Sequence, residues 1–259
     1  MFKNRSFLSG KSQLQVNLQG AIDARRGKIF SKLSKEITIA AKTGGGDPNG
    51  NPRLRSAIQV ARAQSMPNDN IERAIKRGTG EGKDVQHFEE IVYEGYGPGG
   101  VAIIVEAATD NKNRTGAEIR SIFTKHNGNL ASTGSVSYMF HRKGQITVPR
   151  SNIDEDRLLE LALEAGAEEL TTDEDQYVII TSHDQLYAVA EALRNAGVIT
   201  DGQKFTFIPD TTVPITDENM ARRLLSLRDA LEEDDDVQNI YSNLEIPDEM
   251  LAIPHAGPA

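Results

Sequence analysis

The chain has 259 residues, 38% of them hydrophobic, with no Cys and no Trp. That size and apolar content suit two or three soluble domains, and the absence of Cys excludes disulfides, thiolate metal sites and cysteine nucleophiles. The net charge of −9 conceals a division: residues 1–83 hold 16 Lys/Arg against 6 Asp/Glu, and residues 84–259 hold 13 against 32.

No apolar run reaches the ~18 residues of a membrane helix, so a soluble, cytoplasmic protein with no membrane partner is expected. A basic front joined to an acidic body points to a polyanion partner, and nucleic acid is the polyanion expected. Residues 1–22 hold Lys3, Arg5 and Lys11 with Ser6, Ser9 and Ser12, a composition shared by basic tails and organelle transit peptides.

Over 21–42, Ile22, Ile29, Phe30, Leu33, Ile37 and Ala40 recur at helical spacing and draw one apolar face. Arg25, Lys28, Lys32, Lys35 and Lys42 fall on roughly the opposite side, with Arg26 beside them, so the cations form a stripe able to track phosphates. The glycines at 44–46 and Asp47-Pro48 stop the helix. Asn51 and Pro52 then start a second helix that carries Leu54, Ala57, Ile58 and Ala61 inward, with Arg53, Arg55 and Arg62 elsewhere. A third helix ends near Arg77, with Ile71, Ala74 and Ile75 on one side and Arg73, Lys76 and Arg77 on the other. Two short helices across a tight turn permit a helix-turn-helix reading. The Gly-rich run 78–82 reads as a hinge.

In the acidic body, runs at 88–94 and 101–106 flank Gly95-Tyr96-Gly97-Pro98-Gly99-Gly100 and predict a hairpin. Thr115 and Glu118 predict a capping box for the next helix, which Gly128 closes. A second hairpin over 136–140 and 144–148 is expected, then helices ending at Gly166 and Gly197 around strands at 168–171 and 177–181. A strand at 204–208, a helix over 217–232 and a strand over 237–244 follow. The class is α+β. The division expected is a basic helical nucleic-acid-binding domain at 1–82, a middle α/β domain at 83–135 and 198–247, an inserted α/β domain at 136–197, and a tail at 248–259.

Sequence signals for chemistry are few, and no catalytic residue, metal, cofactor or small-molecule substrate is expected. Residues 95–100 fit G-x-G-x-x-G but join two strands, whereas a dinucleotide site needs a helix N-terminus. Their exposed tip, Gly97, Pro98 and Gly99, is instead a candidate probing loop. Arg5 stands where a Walker loop before Gly10-Lys11-Ser12 needs Gly. His87, His126, His141, His183 and His255 stand singly, and the acidic clusters 154–156, 173–175 and 234–236 lack the remainder of a calcium loop, so helix-start charge and solubility explain them. Lys112 and Arg114, in a polar loop entering a helix N-terminus, are candidate phosphate contacts at the end of the hairpin opposite the glycine tip.

The ordered set GGGDPNGNPRLRSAIQVARAQSMPNDNIERAIKRGTG at 44–80 and YEGYGPGGVAIIVEAATDNKNRTGAEIRSIF at 93–123 resembles the YebC/PmpR family. RRGKIFSKLSKEI near the front and GNLASTGSVSYMF after the capped helix extend the likeness over 20–247. The resemblance implies three domains, a helical one followed by two α/β domains with the third inserted into the second at about 136–197. It also implies nucleic acid, as DNA under a transcriptional regulator or as ribosomal RNA under a ribosome-associated translation factor easing stalled elongation. Relatives of the second kind include a mitochondrial activator of cytochrome oxidase translation. One departure is plain: residues 9–19 read SGKSQLQVNLQ where the family opens with Gly-His-Ser-Lys-Trp. On the DNA reading the acidic body points away from the duplex to dimerise or recruit, which leaves homo-oligomerisation open.

Overall fold

The computed structural model describes residues 10–81, 88–173 and 175–247, with side chains from residue 25 onward. Gly82 of the expected hinge, His87, His255 and the tail at 248–259 lie outside them. No helix among the described residues is long and apolar enough to cross a membrane.

The head is a three-helix unit. Helix α1 (Gly10–Gly44) is longer than its apolar pattern indicated, and α2 (Pro52–Ala63) and α3 (Asn68–Thr79) pack across it. Ile37, Ala40 and Ala41 meet Leu54, Ala61, Ile71 and Ala74 in a core of their own. Asn51 explains the tight junction: its Oδ1 accepts from Leu54 N at 3.1 Å, and its Nδ2 donates to Ala40 O at 2.8 Å. One buried side chain thus caps α2 and ties it to the end of α1. Gly78 is no hinge, because it lies within α3 and a Cβ there would stand 2.3 Å from Thr38 O. It lets α3 cross α1 at close range, and Gly80, at φ +80°, ends the helix.

The middle unit opens with the hairpin β1 (Glu89–Tyr96) and β2 (Ala102–Thr109), followed by α4 (Lys112–Lys125) and β3 (Asn129–Leu130). Asn111, not the expected Thr115, caps α4, since its side chain accepts from Arg114 N.

The chain then enters the inserted unit: β4 (Phe140–Pro149), α5 (Glu155–Glu164), β5 (Glu169–Thr172), β6 (Gln176–Ser182), α6 (Leu186–Asn195) and β7 (Gly202–Pro209). The expected hairpin over 136–148 is one continuous strand preceded by a 3-10 turn at Ser137–Met139. The sheet order is β5-β6-β4-β7, so residues 202–209, expected in the middle domain, complete the inserted sheet. Its core joins Ile146, Ile179, Leu158 and Leu186 beneath α5 and α6.

The middle unit resumes with β8 (Val213–Pro214), α7 (Glu218–Glu232), β9 (Val237–Ser242) and β10 (Leu244–Glu245). Its main sheet runs β3-β1-β2-β9. Strand β2 is buried on both faces, as its Ala, Ile and Val residues on either side of Glu106 require. On one face Ile103 and Val105 pack with Phe123, Leu224 and Leu227 of α4 and α7. On the other, Ile104 meets Val136 and Phe140 of the inserted unit, and Ala108 meets Ile39 and Phe88 beside the head. The middle sheet is therefore the platform on which both other units sit.

Candidate nucleic-acid interface

The cationic stripe of α1 is not turned wholly to solvent. Three of its members meet the last turn of α7 and the acidic run at 232–236: Lys28 Nζ donates to Glu233 O at 3.1 Å and Lys32 Nζ to Glu232 O at 2.8 Å. Lys35 Nζ donates to Asp235 O at 2.8 Å and Asp236 Oδ1 at 2.6 Å. A helix C-terminus carries partial negative charge on its free carbonyls, and the acidic side chains add to it. The acidic body, expected to stand clear of the head's cations, closes on them. Burial pulls the Lys32 ammonium below its usual range, and Glu232, Asp234 and Asp235 pull in the opposite sense.

Asp236, 6% exposed, is the hub. Its Oδ2 accepts from Arg114 Nη2 and from Thr115 Oγ1, each at 2.7 Å, while Oδ1 takes Lys35. Burial opposes ionisation, but the hydrogen bonds from Lys35, Arg114 and Thr115 win and hold this carboxyl well below the usual carboxylate range. The carboxylates of Glu118, Asp234 and Asp236 lie within 4.8 Å of one another, but Lys35 and Arg114 already occupy the Asp236 oxygens and a cation there would have to displace them. A cleft of about 630 Å³ opens beside this hub, lined by Lys28, Lys35, Arg77 and Arg114 opposite Asp234 and Asp235.

The other candidates divide by what they touch. Arg53 is held between Glu36 at 2.8 Å and Glu90 at 2.5 Å. Arg55 closes the 47–50 loop through Pro48 O at 3.0 Å and Asn49 O at 3.1 Å. Lys112 pairs with Glu89 and lowers its carboxyl. These are structural contacts. Arg25, Arg26, Arg62, Arg73 and Lys76 are exposed, Arg77 is half-buried, and none of the six makes an ion pair among the described residues. Arg25 and Arg26 line a groove of about 490 Å³ with Ile29, Gln64 and Ser65, between α1 and the α2–α3 turn. Arg26 Nη2 donates to Ser65 O at 3.5 Å and stacks on Phe30.

The tip expected to be exposed at Gly97, Pro98 and Gly99 is so only at Gly99, because Gly97 is buried against α7. A Cβ on Gly97 would stand 2.8 Å from Leu224 Cδ2, and one on Gly99, at φ +74°, would stand 2.6 Å from Met220 Sδ. These glycines let the turn lie on α7, with Gly99 and Gly100 open to solvent and Pro98 half-buried. Lys112 and Arg114 lie at the other end of the same hairpin, as the sequence indicated, near Asp236 rather than near the tip.

Thr115 and Asp236, the two buried residues that organise the junction, were not legible as such. The one signal was five consecutive acids ending a helix in a chain whose first helix carries a stripe of cations.

The family described as TACO1/YebC second and third domain matches residues 88–244, and that described as TACO1/YebC protein N-terminal domain matches residues 16–81. A protein of Chlorobaculum tepidum named "probable transcriptional regulatory protein" is 55% identical over 236 residues, covering 91% of this chain and 93% of its own. One of Geobacter sulfurreducens bearing the same description is 54% identical over 233 residues, covering 90% and 93%. The crystal structure of a conserved hypothetical protein from Aquifex aeolicus has a TM-score of 0.82 and 51% identity, covering 90% of this chain and 95% of that one. With both family matches falling on the head and on the platform with its insert, the chain belongs to the TACO1/YebC family.

Proposed function

We propose that this protein is a non-enzymatic, cytoplasmic regulator of gene expression that binds DNA through its helical head. The observation that carries the reading is the group of unpaired cations on that head, Arg25, Arg26, Arg62, Arg73 and Lys76, on a chain whose net charge is −9. Cations that make no ion pair among the described residues of an acidic protein form a surface suited to phosphates, where counterion release supplies the affinity. The names borne by the relatives support the transcriptional side of the reading.

One observation favours a ribosomal RNA partner. The outward face of α3, the helix that would enter a major groove, presents Asp69 and Glu72 beside Arg73 and Lys76, and Asn70 is engaged by Arg73. Base readout calls for Arg, Asn or Gln side chains directed at base edges, so this face suits backbone contact rather than sequence reading. Crosslinking in cells with sequencing of both DNA and RNA separates the two. Discrete promoter peaks support the first reading, and ribosomal RNA overturns it in favour of the second.

In vitro, reversal of Arg25, Arg26 and Arg62 to Glu lowers affinity for a duplex or an RNA strand by about 100-fold or more at low salt, near 1 kcal/mol per reversed charge. The same triple variant loses roughly 2 to 3 from the slope of log K against log salt. Fluorescence anisotropy across a salt series reads both, and unchanged binding by a folded variant removes the head as the binding surface.

A further inference from the structure

Each of the three units has its own hydrophobic core, and the seam that joins the head to the other two is polar. Apart from the small cluster of Ile39, Phe88 and Ala108, that seam is held among the described residues by the three lysines on 232–236, by Lys42 on Phe88 O, by Arg53 on Glu90, and by two bonds from α2. Those two are Ser56 Oγ to Gln203 O at 2.8 Å and Gln59 Nε2 to Thr200 O at 3.1 Å. Domain surfaces of this kind reorient readily, because little apolar area is exposed when they part. We propose that the seam is an autoinhibitory latch in which the acidic run at 232–236 occupies Lys28, Lys32 and Lys35 in place of a nucleic-acid backbone. A phosphodiester polymer opens it by displacing that run.

Three features make the exchange balanced. The lysines are spaced over seven residues of one helix, roughly 10 Å, which is the reach of about three phosphates along one strand. Two of the three hold main-chain carbonyls rather than carboxylates, so a phosphate offers each of them a charge-assisted bond stronger than the one it gives up. Asp236 keeps Arg114 and Thr115 from its own unit when Lys35 departs, so opening strands no buried carboxylate. Arg25, already exposed at the end of the stripe, provides first contact, and release of the lysines lengthens the cationic track behind it.

The latch rests on the nucleic-acid reading above, and the test separates the two. The variant E232Q/E233Q/D234N/D235N retains Asp236 and weakens the field that holds the lysines. It is compared with wild type, with the head variant R25E/R26E/R62E, and with E155Q/D156N/E164Q/E191Q, which removes as many acids from exposed positions of the inserted unit. Affinity for a labelled 20-base-pair duplex and a 20-nucleotide RNA is read by anisotropy, and radius of gyration by small-angle scattering with and without the oligonucleotide. The latch requires the 232–235 variant to bind about fivefold or more tightly than wild type, the inserted-unit control to stay within about twofold, and wild type to expand when saturated. Equal gains in both neutralised variants, no gain, or a wild-type complex as compact as the free protein overturns the latch. When wild type binds and the head variant does not, that result leaves the nucleic-acid reading standing. When wild type binds neither probe, both fall.

Discussion

Replacing Asp236 with Ala lowers stability by about 3 kcal/mol or more, three times a typical point substitution. The carboxylate is buried and receives Lys35, Arg114 and Thr115, so its removal leaves the buried Lys35 ammonium without its anion, while Arg114 keeps Asp110 and the Thr115 hydroxyl keeps Thr109 Oγ1 and Asn111 O. Truncation from the other side is much milder. Lys35→Met leaves Asp236 with Arg114 and Thr115 and places an apolar chain beside Phe88, whose ring already stands 5.6 Å from Lys35 Nζ. A cost of about 1 kcal/mol is expected there. Urea midpoints of the two single variants and the double measure the asymmetry, and equal losses would show that the bond across the seam, not the one inside the middle unit, carries the energy. The pH dependence follows the same carboxylate. Its folded pKa is depressed, so its contribution is complete above the unfolded value of about 3.9 and is lost as pH falls below it. In D236A the acid limb of the stability profile is correspondingly shallower.

The second large effect is expected at Glu94. This residue, 3% exposed, stands near the end of β1, and its carboxylate accepts from three main-chain donors of the connection into the inserted unit. They are Gly134 N at 2.8 Å, Val136 N at 2.7 Å and Ser137 N at 2.9 Å. Burial alone would raise its pKa, but the three N–H groups lower it, so it is held as a carboxylate. Ala at this position leaves three donors facing a cavity, at about 1–3 kcal/mol for each that water cannot reach, and a loss of about 3 kcal/mol is expected. Glu94→Gln keeps one acceptor oxygen without the charge and falls between. Amide exchange at Gly134, Val136 and Ser137 gives the local readout. Protection retained in the Ala variant would show that Tyr96, whose hydroxyl donates to Ser135 O at 2.8 Å, is enough to hold the turn.

Local chemistry in the sequence was read well. The Asn51-Pro52 start of α2, the hairpin around Gly97, and the amphipathic helices ending near Gly128, Gly166 and Gly197 depend on neighbours within a few residues, which a linear reading includes. Two kinds of information lay beyond it. The first is pairing at a distance: β7 reads the same whether it joins the middle sheet or the inserted one, and only its register with β4 decides. The second is what a charged face looks toward. Helical spacing put Lys28, Lys32 and Lys35 on one side of α1, and water, a phosphate or the end of α7 would satisfy that pattern equally. For the same reason Arg25, Arg26 and Arg62 could not be told from Arg53 and Arg55, since what separates them is Glu36, Glu90 and two carbonyls brought in by the fold.

Splitting the middle unit around an insert has a bearing on synthesis. Strand β2 leaves the ribosome more than a hundred residues before β9, its neighbour in the finished sheet. At 5–20 residues per second it waits about ten seconds with one hydrogen-bonding edge open. Over that interval the inserted unit, whose strands are contiguous in sequence, has emerged whole and can mature first. Stalled nascent chains in which residue 212 is followed by an unrelated linker long enough to fill the exit tunnel should therefore show protease-resistant inserted unit and protease-sensitive 88–130, whereas resistance in both would mean that β1 and β2 need no late partner.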